Sequence, residues 1–252
     1  NDCNAAIERH PNVIFTDQTM KTVRLGEAHF MRAYAYWHLV ENYGNVDLRT
    51  KETKEFEGEC RRSSYDDFYK LMLEDCDVAI QNLTAQPYPK EDVGRATLKA
   101  AYGLKARIAL TYVEYLNDQT EKDKYYQMAE DAAKYVIEHQ AELGVSMYDT
   151  PAEVFAKANN KTNKEAMFVI THSSEPSLNM KKSNPCRTHS YFHAKYSDWA
   201  GVAGSYEYGN DKNGKSGGMC MMPTKHLLEL YNNPYDTRYA AWFRENYYVN
   251  KD

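Results

Sequence analysis

Four stretches of this chain repeat apolar residues at helical spacing, and that periodicity limits the available folds more than any other feature. From Thr22 to Tyr43, Ala28, Met31, Ala35 and Leu39 fall at i, i+3, i+7 and i+11, and Phe30, Tyr34 and Trp37 form a second stripe. Adjacent stripes predict a helix covered on more than one side, stopped by Gly44-Asn45. Ser63-Ser64-Tyr65-Asp66-Asp67 reads as an N-cap with acids in the first turn. Phe68, Leu71, Met72, Cys76, Ala79 and Leu83 then line one face until Pro87 and Pro89. A third helix is predicted over Gly94 to Leu116. A fourth spans Asp123 to His139, with Tyr125, Ala129, Ala132, Ala133, Val136 and Ile137 inward. A shorter one, through Ala5-Ala6-Ile7, stops at His10-Pro11. The charged connector Lys51 to Glu59 reads as solvated loop.

These helices begin near residues 26, 64, 95 and 123, at offsets near the ~34-residue period of helix-turn-helix repeats, although the offsets separate single helices rather than repeat pairs. The predicted fold is mostly α, with hairpins like tetratricopeptide repeats stacked into a superhelical scaffold over residues 1–143. After Gly144 the pattern changes, so 144–252 reads as a loop-rich region with a few short strands, the candidate ligand-binding surface. Met167-Phe168-Val169-Ile170 looks β-like, Pro223 to Tyr231 looks like a short helix, and Tyr239 to Val249 like a strand. Residues 173–222 show little periodicity. A loop that long in a compact chain is either functional or disordered.

Composition sets outer limits. Of 252 residues, 42% are apolar, enough for a core, and the formal net charge of −5 gives no support for nucleic-acid binding. No stretch approaches the ~18 consecutive apolar residues of a membrane-spanning helix. Cys3, Cys60, Cys76, Cys186 and Cys220 contain no CxxC pair, which removes zinc ribbons and thioredoxin-like motifs. Asn1-Asp2-Cys3-Asn4 carries no signal-peptide pattern, and the chain opens inside a helix, so it reads as a fragment whose start lies upstream. The count of 22 tyrosines against 8 phenylalanines and 3 tryptophans suits surfaces that are buried yet wet, or that hold a hydroxyl-rich ligand.

The motifs of reaction chemistry lack their required settings. Gly209 to Ser216 matches G-x-x-x-x-G-K-[ST], but Ser205-Tyr206-Glu207-Tyr208 is no buried strand and Gly217-Gly218 is a poor helix start. Gly214 to Gly218 matches G-x-S-x-G and fails on the same context. Asp211-Lys212-Asn213-Gly214 resembles the start of a calcium loop, yet Met222 stands where its bidentate Glu belongs. His189 and His193, with Asp198 nearby, lack the Glu of a zinc-protease helix and read as surface histidines. No cofactor, metal or catalytic constellation is expected.

The loop aromatics Tyr191, Phe192, Tyr196, Trp199, Tyr206 and Tyr208 share no helical stripe. Either they pack the loop onto the helices, or they form a shallow platform where sugar rings stack while Asp, Asn and Ser meet the hydroxyls. On the second reading the binding residues are Trp199, Tyr191, Tyr206 and Tyr208, with Asp198 and Asn210 as hydroxyl partners.

Particular strings carry a family resemblance. GEAHFMRAYAYWHLVENYGNVDL, Gly26 to Leu48, resembles the signature helix of the SusD/RagB family of outer-membrane nutrient-binding lipoproteins. Tyr65-Asp66-Asp67-Phe68-Tyr69 with Leu73-Glu74-Asp75 is similar to the family's next helix, and GRATLKAAYGLKARIALTY, Gly94 to Tyr112, to the one after. Lys164-Glu165-Ala166-Met167-Phe168 resembles a family strand. Pro223 with Leu227, Leu228, Tyr231, Asp236 and Arg238 resembles a late motif. Asp47 departs from the usual Pro. Family members are longer and begin with a lipobox cysteine, which Cys3 is not by context.

The resemblance implies a non-catalytic lipoprotein on the outer-membrane surface that captures an oligosaccharide and delivers it to a SusC-like TonB-dependent transporter. Its repeat helices would face the transporter, and the lipid anchor would lie in sequence this fragment lacks. Two alternatives remain: a peptide-capturing RagB-like protein, and a tetratricopeptide-type adaptor for protein partners with no glycan site.

Overall fold

The computed structural model describes residues 1–55, 58–90, 92, 94–171 and 221–243. The chain divides into two units, Asn1–Met147 with Lys164–Ile170, and Tyr148–Asn163 with Thr171–Asp252. In the first, helices α1 (Asp2–Arg9), α2 (Gln18–Tyr43), α3 (Tyr65–Asn82), α4 (Leu98–Tyr112) and α5 (Gln119–Glu138) each pack mainly on their neighbours in sequence. That is the layout of stacked hairpins, in which every layer is held by the next. A short α6 (Gln140–Leu143) follows.

Side-chain caps set the helix starts. Asp17 accepts from the Met20 N–H at 3.1 Å, so α2 starts four residues before the expected Thr22. Ser64 accepts from the Asp67 N–H at 3.1 Å while Asp67 accepts from the Ser64 N–H at 3.3 Å, a complete capping box. Asp118 accepts from Glu121 at 2.9 Å, which places the start of α5 at Gln119 rather than Asp123. Gly44, at φ 70°, ends α2 in a conformation that other residues avoid. Gly94, at φ 95°, cannot sit inside a helix, so α4 starts only at Leu98.

The buried face of α2 is Val23, Gly26, Phe30, Ala33 and Val40. The expected stripe through Met31 and Ala35 faces water instead. On α5, Tyr125, Ala129, Ala132 and Val136 are buried as expected, but Ala133 and Ile137 are exposed. On α2 the spacing admitted either choice, and the close approach of α3 decides it. A Cβ on Gly26 would lie 3.0 Å from both Asn82 Cβ and Leu83 Cγ, so the helices meet where the side chain is missing.

Met167–Ile170 forms no strand, and among the described residues there is none. The run lies on the helices without a partner strand. Phe168 packs edge-on against Phe30 at 5.0 Å and Tyr34 at 5.5 Å. Met167 fills the space over Gly103, its Cε 3.0 Å from where a Cβ would stand. The stretch expected as a strand from Tyr239 is helical through Trp242, and residues 244–249 lie outside the described ones.

A charged group lies at the centre of the first unit. Asp75 of α3, 1% exposed, accepts from Arg32 Nε at 2.8 Å and Nη2 at 2.7 Å, and from His29 Nδ1 at 2.6 Å. Arg32 Nη1 also reaches Asn4 Oδ1 of α1 at 3.1 Å. Asn4 in turn donates to the carbonyls of Arg49 at 2.7 Å and Lys51 at 3.1 Å. Burial works to lower the Arg32 pKa, but its bonds to Asp75 outweigh that and raise it.

The described part of the second unit comprises α7 (Pro151–Val154), a 3-10 turn at Lys157–Asn159, α8 (Lys225–Leu230) and α9 (Arg238–Trp242). Thr224 caps α8 by accepting from the Leu227 N–H at 3.1 Å, immediately after Pro223 as expected.

Removing one partner of a buried ion pair strands the other charge. Asp75→Ala is therefore expected to lower the unfolding free energy by about 3–5 kcal/mol in urea titrations, and Arg32→Met with Asp75→Leu to recover most of it. Gly26→Ala gains about 1 kcal/mol of helix propensity but overpacks against Asn82 Cβ. The same assay is expected to show a net loss of about 1–2 kcal/mol.

Candidate functional site

The sequence places the ligand contacts at Trp199, Tyr191, Tyr206, Tyr208, Asp198 and Asn210. All six lie outside the described residues, as do His189, His193 and the glycine-rich run 209–218.

Within the first unit several tyrosines serve packing. Tyr69 and Tyr112, 0% and 1% exposed, stack in parallel at 4.9 Å. Tyr65 and Tyr115 stack at 4.0 Å, and Tyr125 meets Tyr112 edge-on at 4.7 Å. The phenol tips find carboxylates: Tyr69 donates to Glu41 at 2.6 Å and Tyr112 to Asp66 at 2.8 Å. Burial, then the neighbouring carboxylate, pushes both phenols well above their ordinary pKa. Tyr69 and Tyr112 thus build rings with polar tips into the core. Trp37 is half-buried, with the Arg107 guanidinium 5.3 Å from its ring centre.

Two open clefts lie on this unit. One of about 620 Å³ runs along α4 and α5 beside Tyr102, Lys105, Gln127, Asp131 and Tyr135. Tyr135 is stacked on Tyr102 and on His139, each at 4.0 Å, so neighbouring rings already occupy its faces. Lys105 is paired with Asp77 at 2.5 Å, and Gln127 donates to Asp131 at 2.9 Å. The other, about 280 Å³, is bordered by the ion pairs Arg49–Asp47 and Arg61–Glu59. Among the described residues no group of three His, Cys, Asp or Glu could hold a metal, and no helix is long and apolar enough to cross a membrane.

Among the described residues of the second unit, Phe155, Tyr235 and Trp242 are exposed. None of residues 221–243 is buried. Arg238 is fixed to Asp236 through Nε at 2.9 Å and Nη2 at 2.6 Å. Those hydrogen bonds hold the Asp236 carboxyl down at about 2. The guanidinium lies 5.5 Å from the centre of Tyr231 and 5.9 Å from that of Trp242. Trp242 donates its indole N–H to the Pro151 carbonyl at 3.4 Å and meets Phe155 edge-on at 6.0 Å. Such a surface, aromatic and bordered by fixed charge, can take a ligand with both an apolar face and hydroxyls. Sequence reasoning noted Asp236 and Arg238 but passed over Trp242 and Phe155, since Trp242 lay inside the stretch expected as a strand.

Residues 3–110, from α1 through most of α4, match the family model described as SusD-like, "Starch-binding associating with outer membrane". That segment is similar to the SusD-like family. A SusD-like protein of Bacteroides ovatus is 27% identical over 154 residues, 61% of this chain and 27% of that protein. The crystal structure of a SusD-like protein from Bacteroides fragilis is 31% identical with a TM-score of 0.56, covering 75% of this chain and 34% of that one. A laminarin-binding SusD-like protein, 18% identical, shares the fold with a TM-score of 0.63 over 77% of this chain and 41% of that one. The chain thus spans about a third of the length of the SusD-like relatives it matches.

A phenol held neutral in the folded state binds its proton more tightly than the unfolded chain does. The stability it brings is complete below the unfolded value of about 10 and is lost as pH rises beyond it. Urea midpoints are therefore expected to fall between pH 9 and 11 (~1 unit either side of that value). The fall should be shallower in Tyr69→Phe with Tyr112→Phe.

Proposed function

We propose that this chain is part of a cell-surface glycan-binding protein, which captures an oligosaccharide without cleaving it and passes it to a SusC-like TonB-dependent transporter in the outer membrane. The SusD-like match over residues 3–110 carries this reading. The helical fold that the chain shares with a laminarin-binding relative adds support. Capture needs a rigid frame and a separate adaptable surface. The helical first unit would supply the frame and face the transporter, and the second unit would face the ligand, with Trp199, Tyr191, Tyr206 and Tyr208 as stacking rings and Asp198 and Asn210 as hydroxyl partners. Stacking and hydrogen bonding require no acid, base, metal or cofactor. The membrane link would be an N-terminal lipid.

Calorimetric titration of the chain with laminarin and starch oligosaccharides, followed in parallel by tryptophan fluorescence, tests the reading. Saturable binding of one glycan, no release of reducing sugar, and a loss of about tenfold in affinity (about 1.4 kcal/mol) in Trp199→Ala are expected. Binding of peptides but no glycan, or sugar release, would overturn it.

A further inference from the structure

Only one tryptophan among the described residues is open to solvent on a fixed scaffold. Trp242 is 43% exposed, and Phe155, which meets it at 79°, is 72% exposed. We infer that Trp242 and Phe155 form a sugar-stacking subsite, with Arg238 as its hydrogen-bond donor. This rests on the glycan-binding reading above and assigns it a place the sequence did not suggest.

Three observations support the assignment. First, the indole is positioned before any ligand arrives. Its N–H is bound to the Pro151 carbonyl on α7, and the guanidinium of Arg238 lies by its ring. Asp236 fixes that guanidinium from two sides and also accepts from the Arg238 backbone N–H at 3.0 Å. A ring held this way loses little freedom on binding, so more of the stacking energy appears as affinity. Second, the polar group beside the ring has donors to spare. Nε and Nη2 of Arg238 are spent on Asp236, which leaves Nη1 to donate to a hydroxyl at the edge of a stacked sugar. Third, the chemistry selects the occupant. A purely apolar partner would strand the charged Arg238 and Asp236 at its border, and a phosphate or carboxylate would have to displace Asp236 from Arg238. A pyranose offers C–H groups to the indole and hydroxyls to the guanidinium, and leaves the ion pair intact.

The test uses the full chain with laminarin and starch oligosaccharides as probes. Trp242→Ala is expected to weaken binding of the preferred sugar about tenfold, Trp242→Phe to weaken it only a few-fold, and Phe155→Ala to fall between them. The far-ultraviolet circular dichroism of all three should match that of the unsubstituted chain. Acrylamide quenching, compared between the chain and Trp242→Phe, should show an accessible indole that the sugar protects. If the chain binds sugar while Trp242→Ala and Phe155→Ala both stay within twofold, this subsite is wrong and the glycan-binding reading stands. An indole shielded from acrylamide without sugar would mean that protein covers the platform, and would also overturn the subsite. Binding of neither sugar would remove both the subsite and the reading beneath it. Should Trp242→Ala lose its helical signal, Trp242→Phe and Phe155→Ala carry the comparison.

Discussion

Asp75 is buried inside a stack of helices with Arg32, His29 and, through Arg32, Asn4 around it. A carboxylate in a low-dielectric interior is tolerable only when nearly every lone pair has a donor. This one therefore dictates where α1, α2 and α3 lie relative to one another. The same set of bonds holds down the chain after α2, since Asn4 grips the carbonyls of Arg49 and Lys51 and the Tyr36 hydroxyl accepts from the Arg49 N–H. Apolar burial supplies most of the driving force for the stack. The ion pair selects one register among the several that amphipathic helices would accept.

Much of this architecture was legible in the sequence, and the misses have physical causes. The helices follow from period and caps, as Ser64 with Asp67 shows, and Gly44 marked the end of α2. The buried face of α2 was harder, because the stripe of Phe30, Tyr34 and Trp37 is flanked by Met31 and Ala35 on one side and by Ala33 and Val40 on the other. Only the close approach at Gly26 decides between them. Asp75 was illegible, since an acid on an amphipathic helix looks solvated until its partners on other helices are known. Met167–Ile170 looks β-like by residue type, but what it meets is a helix surface with room over Gly103 and a ring pocket for Phe168.

The candidate site divides in the same way. Composition left two uses for the tyrosines, surfaces buried yet wet or a site for a hydroxyl-rich ligand. In the helical frame Tyr69, Tyr112 and Tyr125 follow the first, each phenol of Tyr69 and Tyr112 answered by a carboxylate. Rings with polar tips suit this role because they fill space between helices and tie down their own hydroxyls. In the described part of the second unit, an arginine–aspartate pair and a backbone carbonyl position Trp242 rather than bury it. No helical or strand period marks such a residue, because contacts distant in sequence, to Pro151 and Phe155, put it there.

The central claim is a division of labour: a helical frame held rigid from within, and a separate unit that meets the ligand. Hydrogen–deuterium exchange of the full chain, with and without a saturating glycan, tests it most directly. The account predicts sugar-dependent protection within residues 148–163 and 171–252, with α2 to α5 slow to exchange and unchanged. Protection concentrated in α4 and α5, beside Tyr102 and Tyr135, would contradict it by making the frame itself the binding surface.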